Sequence, residues 1–222
     1  MSPEDDVVRV AREYGLDATA ALAVVRPFLA SYLELVFAAD SFEIITGGRG
    51  CAAELAKASG TNVAAAAFLE TDRRFPGAML GLKVAVGATT PATLYHRSRI
   101  PFDVGARHVA ALCGRPVPCV DGVETLYGLG FTEERGVLRI KTYVLGAVGD
   151  ALGFRSVRLG PDGVETDVRE YTPDARSEAI AAHHARRALG VERFGHVASS
   201  RARDTKVYVE RVGAIATDYA AR

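Results

Sequence analysis

The sequence predicts an α+β fold: a closed ten-stranded antiparallel β-barrel built from repeated hairpins, with helices around the outside. Two observations predict it. From residue 77 onward, pairs of extended segments flank turn-forming stretches such as GATTP, TEERG and PDG. Helical candidates separate these pairs, so helix and hairpin alternate along the chain. Because so many hairpins would leave exposed sheet edges, closure into a barrel is favoured.

Four hairpins are predicted in this part of the chain. They span residues 78–86 with 92–99, 123–131 with 137–145, 155–159 with 164–171, and 194–199 with 205–212. Helices are predicted at residues 103–113, 174–189 and 214–221. Residues 41–46 and 62–70 supply a fifth hairpin, although the alanines of the second segment also favour a helix there.

The N-terminal part of the chain is predicted to be helical. Residues 5–14 and 18–39 form two helices, the second bent at Pro27 because an internal proline removes a backbone hydrogen bond. A short helix is expected at residues 51–58. We therefore predict one domain over residues 1–222, with N-terminal helices in 1–40 and barrel repeats in 41–222.

The composition indicates which class of binding partner and which cellular compartment to expect. Lys and Arg together number 27, as do Asp and Glu, so no overall field would attract nucleic acid or an anionic membrane. The three cysteines form no CxxC pair, which predicts a reducing cytoplasm. The most apolar stretch contains Arg26, Pro27 and Glu34, so no membrane span is expected. The predicted partners are small molecules.

The second strand of each later hairpin repeats a pattern of tyrosine with a cation two residues away. The four segments read TLYHR, RIKTY, DVREY and KVYVE, beginning at Thr93, Arg139, Asp167 and Lys206. Side chains two residues apart project from the same face of a strand. Each tyrosine therefore shares a face with its cation, and the aliphatic residues between them occupy the other face.

Two orientations of these strands are open. Tyrosine and lysine are tolerated on exposed strands, so the polar face could simply be solvated. However, amphipathic helices must bury their apolar sides, and the aliphatic face of the same strands is the large apolar surface available. If the helices cover that face, the cations and tyrosines line the lumen of the barrel.

A basic lumen predicts an anionic ligand, because clustered buried cations repel one another. The cations are Lys83, Arg97, Arg139, Lys141, Arg169 and Lys206. A diphosphate suits them, since Arg and Lys both bind phosphate oxygens. Four phenols accompany them: Tyr95, Tyr143, Tyr171 and Tyr208. Aromatic faces stabilise a carbocation, so this combination predicts ionisation of an allylic diphosphate.

The segments "VLRIKTYV" and "ALGVERFGHVASSRARDTKVYVE" resemble the aromatic prenyltransferases with the ABBA (PT-barrel) fold, and "FEIITGGRG" is similar to their first strand and Gly-Arg turn. The resemblance implies a short member of that family, an enzyme that transfers a prenyl group from an isoprenoid diphosphate to a phenol or indole type of acceptor. Catalysis would then occur inside the barrel.

The resemblance also implies roles for individual residues. Arg139, Lys141 and Lys206 would hold the diphosphate, assisted by Arg49, Lys83, Arg97 and Arg169. Tyr143, Tyr171 and Tyr208 would shield the prenyl cation, with Tyr95 as a further shield. Lys141 and Tyr143 would act in catalysis together with Glu43, the nearest acidic candidate for a base on the first strand.

The alternative is a noncatalytic barrel that carries an anionic hydrophobic ligand, such as a prenyl phosphate or a fatty acid. No aspartate-rich DDxxD motif is present, so no magnesium ligands are visible. We expect no required cofactor, because a basic lumen could neutralise a diphosphate by itself, but a role for Mg²⁺ remains open. No metal-binding residues are predicted.

Overall fold

The protein is built around one antiparallel β-sheet that carries helices on one face. The computed structural model describes residues 2–37, 42–60, 62–87, 92–118, 123–148, 151–160, 163–171, 196–200 and 203–212. In residues 145–148, 151–155, 160 and all later described residues, the description is of the backbone alone. The predicted helices at 174–189 and 214–221 lie outside these ranges.

The described helices all end before Gly114. They are α1 (Pro3–Glu13), α2 (Thr19–Val25), a 3₁₀ turn (Arg26–Phe28), α3 (Ala52–Ala58), α4 (Val63–Arg74) and α5 (Phe102–Cys113). The first four strands are β1 (Leu33–Phe37), β2 (Phe42–Gly48), β3 (Met79–Val86) and β4 (Thr93–Arg97). A two-residue strand, β5 (Ile100–Pro101), precedes α5.

The second half of the described chain is almost entirely extended. Its strands are β6 (Thr125–Glu134), β7 (Val137–Val148), β8 (Ala151–Gly160), β9 (Gly163–Tyr171), β10 (His196–Ser200) and β11 (Arg203–Val212). The order in the sheet is β4-β3-β2-β1-β11-β10-β9-β8-β7-β6-β5, and β4 also pairs with β6. Apart from short β5, every described strand therefore has an antiparallel neighbour on both sides.

Two apolar cores fill the space between the helices and the sheet. Val7 and Val10 of α1 and Leu22 of α2 pack against Leu35 and Phe37 of β1. Phe68 of α4 and Val109 of α5 belong to the second core, with aliphatic residues of β3, β4, β6 and β7. Helices thus cover the aliphatic face of the strands, which confirms the α+β class and the antiparallel arrangement.

One predicted helix is wrong in its second half. Residues 18–39 were expected to be a single bent helix, but α2 ends at Val25 and Leu33–Phe37 form β1. Both faces of β1 are buried. An apolar run with two buried faces does not show the alternation of a half-exposed strand, so its sequence cannot be distinguished from a buried helix by periodicity.

The predicted pairing of residues 41–46 with 62–70 is also wrong. Residues 63–74 form helix α4, whose first turn is capped by the Asn62 side chain accepting a hydrogen bond from the Ala65 amide. Asparagine is a strong N-cap and alanine the best helix former, so local preference prevails here. The partners of β2 are instead β1 and β3.

None of the described helices is long and apolar enough to cross a lipid bilayer.

Two histidines, His96 of β4 and His108 of α5, are buried on the helix side of the sheet. Nε2 of His96 lies 3.1 Å from the Phe75 carbonyl oxygen, and Nε2 of His108 lies 2.8 Å from Oγ1 of Thr71. Burial lowers the pKa of both histidines; Arg74 lowers that of His108 further, whereas the Phe75 carbonyl and Asp72 oppose the shift at His96. Both rings are therefore neutral in the folded protein at neutral pH.

Acid is expected to destabilise the protein through these two histidines. Unfolded histidine has a pKa of about 6.5, so below that pH the unfolded state binds more protons than the folded state and the free energy of unfolding falls. Thermal unfolding at pH 7.5 and 5.5 measures this loss. It should be smaller in His108→Gln, which cannot titrate; an equal loss in both proteins would contradict the assignment.

Candidate active site

The segment VLRIKTYV has its aliphatic residues toward the helices and its cations on the opposite face. Ile140 and Val144 belong to the core shared with α4 and α5. Tyr143 instead packs against a separate cluster on the other face of the sheet. Because side chains alternate along a strand, Arg139 and Lys141 lie on the same face as Tyr143. The predicted orientation of this strand is confirmed.

The face opposite the helices is buried around its aromatic end, whereas the side chains of its cations Lys83, Arg97, Arg139 and Arg158 are 20–36% exposed. Tyr32, Glu34, Val36 and Ile45 are each at most 2% exposed, and Tyr95 is 7% exposed. Among the described residues, no helix contributes to the apolar cluster on this face. We call its polar and aromatic residues the polar-face cluster: Tyr32, Glu34, Glu43, Lys83, Tyr95, Arg97, Glu134, Arg139, Lys141, Tyr143 and Arg158.

Side chains from strands that are not neighbours meet on this face. The Arg97 guanidinium of β4 lies 3.6 Å from a Glu34 carboxylate oxygen of β1, although β2 and β3 separate these strands. The rings of Tyr95 and Tyr143 lie 6.2 Å apart across β6. Such contacts require a strongly curved sheet, so the polar face is concave.

Two glycines make room for Tyr95. Tyr95 pairs with Gly81 of β3 on one side and with Gly130 of β6 on the other. Gly130 pairs in turn with Lys141 of β7. A Cβ atom at Gly130 would lie 3.3 Å from Cε1 of Tyr95 and 3.5 Å from Cβ of Lys141. The absence of a side chain on Gly130 therefore lets the Tyr95 ring lie beside Lys141.

Replacing Gly130 by Val should displace the Tyr95 ring without preventing folding. The added methyl groups would occupy the space that the ring now fills. For a catalytic site, a misplacement of about 1 Å can cost about a hundredfold in rate, and on that premise turnover should fall between tenfold and a hundredfold. Steady-state kinetics and circular dichroism measure the two effects. Unchanged turnover would mean that the position of Tyr95 is not important.

Cations lie close to aromatic rings in this cluster. The Arg97 guanidinium is 5.7 Å from the ring centroid of Tyr95 and 6.0 Å from that of Tyr32. Nζ of Lys141 is 5.2 Å from the ring centroid of Tyr143. The cluster thus presents positive charges for an anion beside aromatic faces that can stabilise a carbocation.

Carboxylates are interleaved with these cations. Oε1 of Glu43 lies 3.3 Å from Nζ of Lys83, and Glu134 contacts Arg158 at 3.0 Å and Arg139 at 3.6 Å. The sequence predicted cations that only a ligand would neutralise, and these ion pairs correct that picture. Five cations still face three carboxylates in the cluster, so its described part keeps an excess of positive charge.

Glu34 is the most deeply buried acid of the cluster. Burial raises the pKa of its carboxyl, and Arg97 partly opposes the shift through its charge. Its side chain is fully buried. A raised pKa makes the Glu34 carboxylate a stronger base than an ordinary glutamate, and it lies beside the aromatic residues of the cluster.

The predicted site residues fall into three groups. The structure brings together Glu43, Lys83, Tyr95, Arg97, Arg139, Lys141 and Tyr143 on the polar face. Arg49 lies apart: it is exposed and donates a hydrogen bond to the Gly77 carbonyl. The side chains of Arg169, Tyr171, Lys206 and Tyr208 lie outside the description, although the backbones of these residues belong to β9 and β11.

Backbone register still relates some of these positions to the cluster. Arg169 pairs with Ser156, which in turn pairs with Tyr143. Tyr208 pairs with Val36 of the buried polar face. These pairings leave the predicted roles of Arg169 and Tyr208 open to test.

Sequence reasoning missed four members of the cluster: Tyr32, Glu34, Glu134 and Arg158. Tyr32 and Glu34 alternate with Leu33 and Leu35, a strand pattern that the assignment of a long helix concealed. Arg158 pairs directly with Lys141. It could have been found from the sequence, because it lies in the predicted strand 155–159. In the described ranges, no three His, Cys, Asp or Glu side chains converge where a metal ion could be held.

Comparison with known proteins identifies the fold. No family model and no curated protein matches the sequence. A 5-dimethylallyltryptophan synthase from Streptomyces coelicolor aligns over 95% of this chain and 96% of its own, with a TM-score of 0.53 and 13% identity. A 6-dimethylallyl tryptophan synthase aligns over 94% and 96%, with a TM-score of 0.55 and 12% identity. The chain thus has the ABBA fold of these aromatic prenyltransferases, as the resemblance implied.

Proposed function

We propose that the protein transfers a prenyl group from an allylic isoprenoid diphosphate to an aromatic acceptor of the indole or phenol type. The observation that carries the proposal is the polar face, where Lys141 and Arg97 lie within 6 Å of the ring centroids of Tyr143 and Tyr95. Binding an anion and shielding a carbocation are the two requirements of this reaction, and both kinds of group adjoin here.

The polar face is proposed to line a closed chamber. The pairing of β4 with β6 supports closure, because it joins the strands on either side of β5 and gives the ten longer strands a continuous circle of neighbours. The burial of Tyr32, Glu34 and Val36 supports it as well. A chamber that excludes water would protect a prenyl cation from hydrolysis.

The diphosphate is assigned to the basic part of the chamber. Arg139, Lys141 and Arg158 lie on adjacent strands there, and Arg169 and Lys206 are proposed to join them. When the bond between C1 of the prenyl group and the diphosphate oxygen breaks, the oxygen keeps the electron pair. These cations stabilise the negative charge that develops, so the reaction is expected to proceed without a required metal ion and to persist in a chelator.

Tyrosine rings are assigned to the prenyl cation. Tyr95 and Tyr143 lie 6.2 Å apart, beside Lys141, with Tyr171 and Tyr208 as further proposed shields. An electron-rich carbon of the acceptor attacks C1 and forms the new bond. The acceptor then loses one proton, which leaves a neutral aromatic product.

Glu34 is the group best placed to receive that proton. Its carboxyl is buried, its pKa is raised, and Arg97 holds it from one side. Glu43, the residue that the sequence suggested, lies 3.3 Å from the Lys83 ammonium, which holds its charge as an ion pair. We therefore assign the base to Glu34 and a positioning role to Glu43.

Incubation with donors and acceptors followed by mass spectrometry tests the proposal. Dimethylallyl and geranyl diphosphate are combined with tryptophan, indoles and phenols, because the two structural neighbours are named as dimethylallyltryptophan synthases. We expect an acceptor whose mass increases by one prenyl group minus one hydrogen. Binding of donor without any new product would favour the carrier instead.

A further inference from the structure

Ser156 of strand β8 carries a buried hydroxyl on the polar face of the sheet. It pairs directly with Tyr143 in the regular antiparallel ladder between β7 and β8, so the two side chains project from the same face. Ser156 is 0% exposed. Its Oγ has no hydrogen-bond partner among the residues that the structure describes. Buried polar groups are nearly always hydrogen-bonded in folded proteins, so this hydroxyl points to a partner that a ligand supplies.

Buried hydroxyls of other serine and threonine residues in the described chain find partners within the protein. The five buried threonines bond to backbone carbonyl oxygens, to each other or to His108: Thr46, Thr71, Thr93, Thr132 and Thr142. A hydroxyl that is buried without a hydrogen bond costs stability. Ser156 therefore differs from every other described residue of its kind.

The neighbours of Ser156 on the polar face are cations and one aromatic ring. Arg158 lies two residues further along β8 on the same face, and it pairs with Lys141 of β7. The backbone of Arg169 pairs with Ser156 from the other side, in β9. Lys and Arg side chains donate hydrogen bonds but accept none, so they cannot satisfy the proton of the Ser156 hydroxyl. The oxygens of an anion bound between these cations can accept it.

The register of β7 and β8 sets the order of the groups that a prenyl donor would meet. Tyr143 and Ser156 form one level, and Lys141 and Arg158 form the next. Arg139 lies a further two residues along β7, and successive levels are about 6.6 Å apart because each residue of a strand rises about 3.3 Å. With the prenyl chain at Tyr143 and the diphosphate directed toward Arg139, the phosphate joined to C1 lies beside Ser156 and Lys141.

We propose that the Ser156 hydroxyl donates a hydrogen bond to the phosphate group that is attached to C1 of the prenyl donor. The hydroxyl keeps its proton throughout the reaction. Its bond strengthens when the bond between C1 and oxygen breaks, because the leaving oxygen then gains negative charge. This inference rests on the proposed prenyl transfer, and it adds an uncharged donor to a site assigned so far to cations.

Ser156→Ala is expected to weaken donor binding without destabilising the ligand-free protein. Loss of a hydrogen bond to a charged group should lower the affinity about tenfold to a hundredfold. Alanine removes a hydroxyl that has no partner when the site is empty, so the ligand-free variant should unfold at the same temperature as wild type or higher. Titration calorimetry with unreactive dimethylallyl thiolodiphosphate measures the affinity and requires no turnover.

Two further variants separate the effect of the hydroxyl from that of its surroundings. Thr142→Val removes a buried hydroxyl from the opposite face of the neighbouring strand, where it donates to the Val157 carbonyl. This matched control should lower the unfolding temperature and leave the affinity for the donor analogue unchanged. Ser156→Thr keeps a hydroxyl on the polar face and should bind the analogue nearly as tightly as wild type.

Dimethylallyl monophosphate tests which phosphate Ser156 contacts. It contains the phosphate joined to C1 and lacks the second one. Ser156→Ala should therefore weaken binding of the monophosphate by the same factor as binding of the thiolodiphosphate. Equal affinity of wild type and Ser156→Ala for the monophosphate would place the hydroxyl at the second phosphate and overturn the assignment.

The outcomes distinguish this inference from the proposed function. Unchanged affinity for the thiolodiphosphate in Ser156→Ala overturns the inference, and so does an equal loss of affinity in Ser156→Thr or Thr142→Val. A rise in the KM of the aromatic acceptor alone would assign Ser156 to the acceptor and overturn it as well. If the analogue binds through Ser156 but no acceptor is prenylated, prenyl transfer fails while the phosphate contact stands.

Discussion

Glu34→Gln is expected to stop turnover while making the folded protein more stable at neutral pH. Glutamine cannot accept the proton that the acceptor loses, and removal of a general base typically lowers the rate by about a hundredfold to ten-thousandfold. Glutamine also carries no charge into a fully buried position. Product formation and thermal unfolding of the same variant measure both effects.

The stability gain should depend on pH in a defined direction. Burial raises the pKa of the folded Glu34 carboxyl, so above its ordinary value of about 4.3 the unfolded state releases the proton more readily than the folded state. The charge therefore costs stability as the pH rises through that window. The advantage of Glu34→Gln should be largest near pH 7.5 and shrink as the pH approaches 4.3.

Glu43→Gln is the matched control for Glu34→Gln. Glu43 lies on the neighbouring strand, is paired with Lys83 and is partly exposed. Its loss should lower activity moderately, by releasing Lys83 from its ion pair. If Glu43→Gln abolishes turnover and Glu34→Gln does not, the base is Glu43, as the sequence first suggested.

Lys141→Met is expected to weaken diphosphate binding and turnover together. Each charge-assisted hydrogen bond contributes about 1.5–3 kcal/mol, so loss of one contact should cost about tenfold to a hundredfold. Methionine keeps much of the apolar stem that runs beside Tyr143. Inhibition by inorganic pyrophosphate and kcat/KM for the donor measure the two effects.

Lys141→Arg tests whether a positive charge at this position is sufficient, whatever the shape of the side chain that carries it. It keeps the positive charge beside Tyr143 and should retain much of the affinity for pyrophosphate. Glu134, which pairs with Arg139 and Arg158, remains in place in both variants. Turnover by Lys141→Met at the wild-type rate would remove Lys141 from the active site.

Much of the fold could be predicted from residues 77 to 171, because turn residues and alternation agree there. Lys141 and Tyr143 on one face and Ile140 on the other follow from a period of two residues. The less obvious choice, the polar side as the buried side, followed from the need of the helices to bury their apolar faces. The helix-side cores confirm that the helices cover the aliphatic face.

The N-terminal third could not be read in the same way. Strand β1 is otherwise apolar on both faces, and its only polar residue, Glu34, entered the sequence argument solely as evidence against a membrane span. Helix α4 was ambiguous because a stretch of alanines carries almost no periodicity. Burial from two sides is a tertiary property, so local sequence alone does not reveal it.

The sequence also does not show which carboxylates form ion pairs with the cations. Glu34 and Arg97 are 63 residues apart in sequence and meet across two intervening strands. A face pattern predicts which residues share a surface but not which of them touch across a curved sheet. The ion pairs therefore emerged only with the three-dimensional arrangement.

A crystal structure with an unreactive thiolodiphosphate analogue of the donor tests the central claim most directly. The account predicts the diphosphate beside Arg139 and Lys141, with the prenyl chain between Tyr95 and Tyr143 on the concave side of the sheet. A donor bound on the outer surface among the helices, or a polar face open to bulk water, would contradict it.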